Sequence, residues 1–376
     1  MPHIIVLGAG RVGKAIAIDL AQQHSITVVD IDQRILDDVV NSEQRINTIQ
    51  ADLHNESLLT NIVEPADLIV NAVPGFMGFQ TLQCIIRNNK NVVDIAFFPE
   101  NALDLDKMAK QHNVTAIVDM GVAPGLSNLV LGHHSEDMQV EQFHCMVGGL
   151  PVNPQPPFNY KAPFSPIDVV EEYTRPARIV VNGKQITRPA LSDVELVEFD
   201  NIGTLEAFNT DGLRSLLFSF PDIPNMVEKT IRYPGHAALI ATLRDIGFFD
   251  EQPLTETDSN VRPLDVTLAL LKNHWQLDAT EKEFTIMKIV IAGKKQGQPI
   301  HYQYDLYDEY DEVTHTTSMA RTTGYACTAA ANLILENRYQ TKGISPPERL
   351  GKDPSCFKFM LDYLTKRNIT FNVQPR

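Results

Sequence analysis

His3-Ile4-Ile5-Val6-Leu7, then Gly8-Ala9-Gly10-Arg11-Val12-Gly13, an apolar helical stretch, and Ile26-Thr27-Val28-Val29-Asp30 decide the fold of this chain. This order predicts a strand, a glycine turn, a helix, a second strand and an acid, which is the β-α-β unit of nucleotide-binding domains. The first glycine permits the tight turn, the second lets the backbone approach a pyrophosphate, and the third lets the helix pack on the strand. The helix N-terminus then favours the pyrophosphate through its N–H groups and its dipole.

Asp30 predicts which dinucleotide is bound. A carboxylate at the end of the second strand can accept hydrogen bonds from both ribose hydroxyls. Together with Asp32 it repels the 2′-phosphate of NADP, and only Arg34 could offset that repulsion, so we expect NAD rather than NADP. The alternative interpretation is an ordinary strand-to-helix turn, which would require the strand, the spacing and the acid to coincide by chance.

Contacts to the cofactor are expected from the glycine turn, from acids that follow later strands, and from the residues after the fourth strand. The full set is Gly8, Gly10, Arg11, Val12, Gly13, Asp30, Asp52, Asn71, Ala72, Val73 and Pro74. In open α/β sheets the ligand lies outside the carboxyl ends of the strands. The loops that begin at Val73, Asp94 and Asp119 are therefore expected around the nicotinamide end.

Composition narrows the function classes. The chain has 376 residues, with 32 Lys and Arg against 47 Asp and Glu, and its net charge is −15. A prior of about 150 residues per domain predicts two domains. Without a basic run, nucleic acid is not expected as a partner. Since the chain shows no long apolar window and no basic leader, we expect no membrane span and a cytoplasmic location. Cys84, Cys145, Cys327 and Cys356 lack metal-site spacing, so no metal is expected.

The pattern of predicted strands and helices changes near residue 125. Apolar strands alternate with helices up to the strand Thr115–Val118, which predicts an α/β fold with a Rossmann doubly wound parallel sheet over residues 1–125. Between residues 126 and 317 the strands are longer and alternate more, as in Phe284–Ala292 followed by Ile300–Tyr307. This strand pattern predicts a second α+β domain with a mostly antiparallel sheet.

Several motifs resemble the saccharopine dehydrogenase family. They are Gly148-Gly149-Leu150-Pro151, Tyr160-Lys161, the run from Glu228 to Arg232-Tyr233-Pro234-Gly235-His236, and Pro347-Glu348-Arg349-Leu350-Gly351. Within that family, the stretch from Phe199 to Leu213 is most similar to bacterial lysine 6-dehydrogenases, which oxidise the ε-amine of L-lysine with NAD. The resemblance implies a catalytic cleft between two domains, a homodimer, and a first domain completed by residues 318–376. The second domain, residues 126–317, would then serve substrate binding and dimerisation.

Two positions depart from the saccharopine reductases of that family. Those enzymes carry an acid where this chain has Ala123 and a cysteine where it has Val147. Losing both polar groups favours an amine smaller than the lysine–glutamate adduct. The resemblance thus implies NAD-dependent oxidative deamination of the ε-amine of L-lysine or a close amino acid. The alternatives are a reductive condensation of the saccharopine or carboxynorspermidine type, and a non-catalytic NAD sensor, which would have lost its polar cleft residues.

Amine oxidation by hydride transfer requires a neutral nitrogen, so a base or a desolvating pocket must remove a proton from the ammonium group. The candidate catalytic residues are Asp94, Asp119, Tyr160, Asp211, Arg232 and His236. Arg232 is the candidate clamp for a substrate carboxylate, because guanidinium forms two parallel hydrogen bonds to such a group.

Each candidate also has a structural interpretation. The two acids that follow strands could cap loops, and Tyr160 could simply pack in its proline-rich loop. Arg232 could pair with an acid of the protein such as Glu228. His236 could cap a helix or sit in the core as a satisfied histidine.

Overall fold

The computed structural model describes residues 1–163, 165–200, 202–254, 261–278 and 281–375. The chain forms two compact units. The first comprises Met1–Gln139, Arg214–Ser219 and Met319–Thr370. The second comprises Val140–Leu213, Phe220–Ser318 and Phe371–Arg376.

The elements within Met1–Gln139, the first stretch of the first unit, alternate between strands and helices. They are β1 (His3–Leu7), α1 (Arg11–Leu20), β2 (Ser25–Asp30), α2 (Gln33–Ser42), β3 (Asn47–Gln50), α3 (Glu56–Val63), β4 (Leu68–Asn71), α4 (Gly75–Arg87), β5 (Val92–Asp94), a 3-10 turn (Ala102–Leu105), α5 (Asp106–Gln111), β6 (Thr115–Ile117) and α6 (Leu126–His134).

The elements that follow are richer in strands. They are β7 (Gln139–Pro151), α7 (Pro166–Thr174), β8 (Ala177–Val181), β9 (Lys184–Arg188), β10 (Glu195–Phe199), β11 (Gly203–Asn209), α8 (Leu216–Ser219), β12 (Asn225–Arg232), α9 (His236–Asp245), α10 (Pro263–Trp275), β13 (Glu283–Lys295), β14 (Gln298–Glu309), α11 (Ser318–Leu335), β15 (Gly343–Ser345), α12 (Pro347–Gly351), α13 (Pro354–Thr365) and β16 (Phe371–Pro375).

The first unit contains a seven-stranded sheet in the order β15-β6-β5-β4-β1-β2-β3, and every pair in it is parallel. This is the dinucleotide-binding strand order with β15 added at one edge. Residues Leu68–Asn71 of β4 are all buried, because helices cover both faces of a parallel sheet. The order reverses between β1 and β4, which is where such sheets bind ligands.

The second unit contains a nine-stranded, mostly antiparallel sheet, in which β10, β11, β12, β7, β13, β14 and β16 follow one another. The long hairpin of β13 and β14 pairs from Phe284–Glu309 to Lys295–Gln298. The Asn182-Gly183 turn joins β8 to β9 with positive φ angles of 50° and 74°, as a tight hairpin turn requires. The predicted fold class is therefore confirmed.

The boundaries of the units differ from the predicted ones in three places. Helix α6 belongs to the first unit, because a Cβ at Gly132 would collide with the backbone of Glu348, so α6 and α12 pack backbone to backbone. Residues 214–219 also belong to the first unit. Strand β16 belongs to the second unit because it pairs with β14. In the described part of the chain, no helix is both long and apolar enough to cross a bilayer.

Candidate cofactor and substrate sites

The glycine turn between β1 and α1 has the geometry that its sequence predicts. Gly8 has a φ of 95°, and a Cβ at this position would collide with the carbonyl oxygen of Ala72. A Cβ at Gly13 would collide with the carbonyl oxygen of Gly8, so α1 packs closely on the turn. Gly10 is exposed, and a Cβ there would meet no atom within 4 Å. The open position is the one at which a dinucleotide pyrophosphate approaches the backbone.

Asp30 is held at the end of β2 by two backbone N–H groups. Ala9 N donates to its Oδ2 at 2.8 Å, and Asp32 N donates to its Oδ1 at 2.9 Å. Asp32 caps α2 and pairs with Arg34 at 2.6 Å. Its hydrogen bonds to Arg34 lower the pKa of Asp32 to about 2. These residues fit a dinucleotide ribose beside the glycine turn, and Arg34 is engaged by Asp32.

The remaining predicted cofactor residues occupy the carboxyl edge of the parallel sheet. Asn71 ends β4 and is fully buried, and the residues that follow it lead directly into α4, whose N-cap is Pro74. Asp52 lies beyond the end of β3 and accepts hydrogen bonds from the backbone and ring of His54 at 3.0 Å each. These bonds lower the pKa of Asp52. The other members of the set are Arg11 and Val12 in the first turn of α1, and Ala72 and Val73 after β4.

Asp94 is a buried acid at the end of β5. Asn71 Nδ2 donates to its Oδ2 at 2.5 Å, and Ala96 N donates to its Oδ1 at 2.8 Å. Burial raises the pKa of Asp94 to about 8, and the charge of Asp119 adds to this effect while Arg214 opposes it. The carboxyl group of Asp94 is therefore mostly neutral at pH 7.

Asp119 follows β6 and forms a buried ion pair with Arg214, a residue that sequence reasoning missed. The Nε of Arg214 lies 2.9 Å from Oδ1 of Asp119, and both side chains are about 5% exposed or less. Arg214 Nη1 also donates to the carbonyl oxygen of Phe98 at 2.6 Å. Nothing local marks Arg214, because its partner lies 95 residues earlier in the sequence.

In the second unit, Arg232 ends β12 inside a cluster of aromatic rings. Its Nε donates to the hydroxyl of Tyr173 at 3.0 Å, and its Cζ lies 4.4 Å from the ring centroid of Tyr160. Its Nη2 donates to Glu172 Oε2 at 3.0 Å. The arginine therefore pairs with an acid of the protein, as its structural interpretation held, but the acid is Glu172 rather than Glu228.

His236 begins α9 and joins the same cluster. Its Nε2 lies 2.9 Å from the hydroxyl of Tyr173, and its Nδ1 lies 2.9 Å from the carbonyl oxygen of Phe158. Burial, with the charge of Arg232, lowers the pKa of His236 to about 3. The Glu206 carboxylate accepts bonds from the N–H groups at the start of α9, at 2.9 Å and 2.6 Å, and so fixes this helix end.

The predicted residues Tyr160, Arg232 and His236 thus meet in one place. The rings of Tyr160 and His236 are 5.1 Å apart. Burial raises the pKa of Tyr160, so its hydroxyl stays protonated. Sequence reasoning missed Tyr173 and Glu172, which lie side by side on α7, because only the fold brings that helix to Arg232.

Asp211 makes different contacts. Its carboxylate accepts two hydrogen bonds from the guanidinium of Arg178 at 2.8 Å each, and one from the backbone N of Arg178 at 3.1 Å. This bidentate pair accounts for the burial of Asp211 and fixes the start of β8.

Two family models match this chain. The model of the saccharopine dehydrogenase NADP binding domain matches residues 4–117, and that of the saccharopine dehydrogenase C-terminal domain matches residues 121–369. The chain belongs to the saccharopine dehydrogenase family. This membership confirms the resemblance drawn from the motifs.

Curated relatives in the saccharopine dehydrogenase family share about a quarter of the aligned residues. Saccharopine dehydrogenase [NADP(+), L-glutamate-forming] of Pyricularia oryzae is 26% identical over 224 residues, which are 56% of this chain and 50% of that protein. Mitochondrial alpha-aminoadipic semialdehyde synthase of Bos taurus is 23% identical over 276 residues, 68% of this chain and 30% of that protein. The match thus spans half or less of these relatives. Their class, oxidoreductases acting on carbon–nitrogen donors, is the class predicted from the sequence.

Two solved structures share the fold of this chain. Apo saccharopine dehydrogenase (L-Glu forming) from Saccharomyces cerevisiae superposes with a TM-score of 0.80, covers 100% of both chains and is 17% identical. A homospermidine synthase from Legionella pneumophila in complex with NAD has a TM-score of 0.69 and 12% identity, covering 99% of this chain and 91% of that one.

Proposed function

We propose that this protein oxidises the ε-amine of L-lysine, or of a close amino acid, by hydride transfer to NAD. The observation that carries the proposal is the dinucleotide turn, in which Gly8 and Gly13 permit close packing and Ala9 orients the carboxylate of Asp30. The named relatives, which include a saccharopine dehydrogenase [NADP(+), L-glutamate-forming], support the class of reaction.

The residues present fit a dinucleotide cofactor, which supplies the hydride acceptor when bound. Asp30 would accept hydrogen bonds from the ribose, and the backbone around Gly10 would receive the pyrophosphate. The loops that begin at Val73, Asp94 and Asp119 would surround the nicotinamide. Asp94 and Asp119 shape this end through the bonds described above. Their own partners already engage both carboxyl groups, so we assign them positioning roles.

In the second unit, the Arg232 cluster is proposed as the site of the substrate carboxylate. Arg232 is the cation of this cluster, and Glu172 occupies Nη2 of its guanidinium. Burial raises the pKa of Glu172. If a substrate carboxylate displaced it from Arg232, the Glu172 carboxylate would take up a proton or move towards solvent. The carboxylate of a bound amino acid would therefore take the place of the Glu172 carboxylate at Arg232.

Two apolar positions support a substrate of lysine size. Val147 is 8% exposed on β7, and Ala123 is the residue before Pro124 in the loop after β6. Neither offers a polar group to a second amino-acid moiety. The second candidate is the oxidation of saccharopine itself, which the names of the curated relatives favour.

Both candidate reactions oxidise the same carbon–nitrogen bond, and they differ in the amine released on hydrolysis of the imine. Lysine would release ammonia, whereas saccharopine would release glutamate. The test is to incubate the protein with NAD or NADP and either substrate, and to measure reduced cofactor, ammonia and glutamate. The proposal expects NADH and ammonia in equal amounts from lysine. Turnover of saccharopine alone would establish the second candidate.

The preference for NAD is also a proposal, because the matching family model is that of an NADP binding domain and the fungal relatives are named for NADP(+). It rests on the two carboxylates of Asp30 and Asp32 and on the pairing of Arg34 with Asp32. A homodimer in the cytoplasm completes the proposal, and sedimentation of the purified protein tests the dimer.

A further inference from the structure

A short segment of the first unit, Arg214–Ser219, lies in the sequence between two stretches of the second unit. It includes the four-residue helix α8 (Leu216–Ser219). Its polar side chains all bond to residues of the first unit. Arg214 binds Asp119 and Phe98, while Ser215 and Ser219 bind Glu348. The segment is thus attached to the first unit at both of its ends.

At its first end, Arg214 joins the loops that follow β5 and β6. It donates to Asp119, just after β6, and to the carbonyl oxygen of Phe98, in the loop after β5. The guanidinium also lies 5.0 Å and 5.3 Å from the ring centroids of Phe97 and Phe98. One side chain therefore fixes two neighbouring loops at the carboxyl edge of the sheet, where such sheets bind their ligands.

The ion pair is formed by two residues with unusual backbone conformations. Asp119 has a φ of 53° and Arg214 a φ of 44°, in the left-handed region that residues other than glycine seldom adopt. Such conformations persist where the surroundings over-determine them, and they cluster at ligand sites. Backbone strain in both partners of the Asp119–Arg214 ion pair indicates that the pair has a role beyond packing.

At its other end, the segment is anchored by a fully buried acid. Glu348 accepts hydrogen bonds from Ser219 at 2.5 Å, from Ser215 at 3.1 Å and from Asn128 at 3.5 Å. Burial raises the pKa of Glu348. These three donors are neutral side chains, and their hydrogen bonds to Glu348 hold α8 against α6 and α12.

We propose that Arg214 is a positioning residue for the nicotinamide half of the cofactor. Through Asp119 and Phe98 it sets the two loops expected to enclose the nicotinamide, and Glu348 holds its segment in place. The inference rests on the proposed function, because it requires that the first unit bind a pyridine dinucleotide. It predicts that losing Arg214 weakens the contacts of the nicotinamide half and spares those of the adenosine half, which depend on Gly8 and Asp30.

The test compares two probes on the full chain. NADH reports both halves of the cofactor, and ADP-ribose reports only the adenosine half and the pyrophosphate. Arg214→Lys keeps the charge but cannot make both the Asp119 and the Phe98 bonds in the same geometry. The matched control is Arg367→Lys, because Arg367 forms a partly exposed pair with Asp19 in the same unit, at 2.8 Å. Melting temperatures confirm that the variants are folded.

For Arg214→Lys we expect the dissociation constant of NADH to rise about tenfold or more, and that of ADP-ribose to stay within about twofold. Arg367→Lys should change the ratio of the two constants little. If Arg214→Lys does not fold, the double variant Arg214→Met and Asp119→Asn removes both buried charges together and is measured with the same probes. It should show the same selective loss.

The inference is overturned if NADH binds the folded variant as it binds the wild type, or if both probes weaken by the same factor. Failure of the proposed function gives different results. If the first unit binds no pyridine dinucleotide, the wild type itself binds neither NADH nor NADPH, and if only the amine substrate differs from lysine, the two dissociation constants and their ratio are unaffected. If the wild type prefers NADPH, that cofactor and 2′-phospho-ADP-ribose replace the two probes.

Discussion

The hydroxyl oxygen of Tyr173 lies 2.9 Å from Nε2 of His236. The same oxygen accepts a hydrogen bond from Nε of Arg232. The carbonyl oxygen of Phe158 lies 2.9 Å from Nδ1 of His236 and can only accept, so Nδ1 carries the ring proton. Nε2 of the neutral imidazole then accepts a hydrogen bond from the hydroxyl of Tyr173. A neutral imidazole with both nitrogens engaged does not fit the predicted role in deprotonating a substrate. It fits a residue that orients Tyr173, and through it Arg232.

This neutral histidine predicts a change of stability with pH. The pKa of His236 is about 3 in the folded chain and about 6.5 in an unfolded one, so between these values the unfolded state binds an extra proton. The free energy of unfolding should then fall as the pH falls below about 6.5, by up to about 1.4 kcal/mol per pH unit from this residue. Urea unfolding of wild type and His236→Gln at pH 7.5 and pH 5 measures the difference.

The variant should lose less stability than the wild type between the two pH values. Tyr173→Phe is the matched control, because it removes the same hydrogen bond but leaves the histidine to titrate. Equal losses in wild type and His236→Gln would show that His236 is protonated in the folded protein.

The raised pKa of Asp94 predicts the opposite dependence of stability on pH. Its pKa of about 8 in the folded chain exceeds the unfolded value of about 3.9, so the folded state holds an extra proton between them. The contribution of Asp94 to stability should be fully present below about pH 4 and lost as the pH rises towards 8. Nearby groups that bear on this titration are Asn71, Asp119, Arg214 and Cys327.

Asp94→Asn should therefore flatten the fall in unfolding free energy between pH 5.5 and pH 8. The measurement is urea unfolding at several pH values in that range. An unchanged slope in the variant would mean that Asp94 is already ionised in the folded protein.

Local patterns predicted the first unit well, because its signals are short-range. The run from His3 to Asp30 contains the strand, the turn glycines and the acid, and each has the expected conformation. Contacts between distant segments could not be predicted from such patterns. Arg232 and Glu172 are 60 residues apart, and Arg214 and Asp119 are 95 apart, so no periodicity relates them. The unit boundaries differ from the predicted ones for the same reason. Strand β16 belongs to the second unit because it pairs with β14, which lies far from it in sequence.

The Arg232 cluster predicts how substrate binding responds to mutation. Arg232→Lys should raise KM for an α-amino acid more than it alters NAD binding, because a point charge cannot reproduce the guanidinium fork. Glu172→Gln removes the competing carboxylate and should leave KM unchanged or lower it. Both variants are assayed with lysine and with 1,5-diaminopentane, which lacks the carboxylate. An equal loss on the two substrates would remove Arg232 from the carboxylate site.

The acids beside the glycine turn predict the choice of cofactor. Replacing Asp30 with Asn should weaken NAD and relieve the repulsion of NADP, a relative change of about 2–3 kcal/mol in kcat/KM. Asp32→Asn is the matched variant, since it frees Arg34 to meet a 2′-phosphate while Asp30 remains. It should raise kcat/KM for NADP and leave that for NAD nearly unchanged. A wild type that uses NADP at least as efficiently as NAD would contradict the assignment.

The chemistry of the amine predicts how activity depends on pH. Hydride can leave only from a carbon that bears a neutral amine, and the ε-ammonium of free lysine has a pKa of about 10.4. Activity in the oxidative direction should therefore climb towards about pH 9–10, and ammonia should appear in step with NADH because the imine is hydrolysed. Initial rates from about pH 6 to 10, with ammonia assayed alongside, measure both. A flat profile would mean that deprotonation does not limit the rate. NADH without ammonia would identify a secondary amine or an alcohol as the substrate, and would place the condensation chemistry of the relatives ahead of lysine deamination.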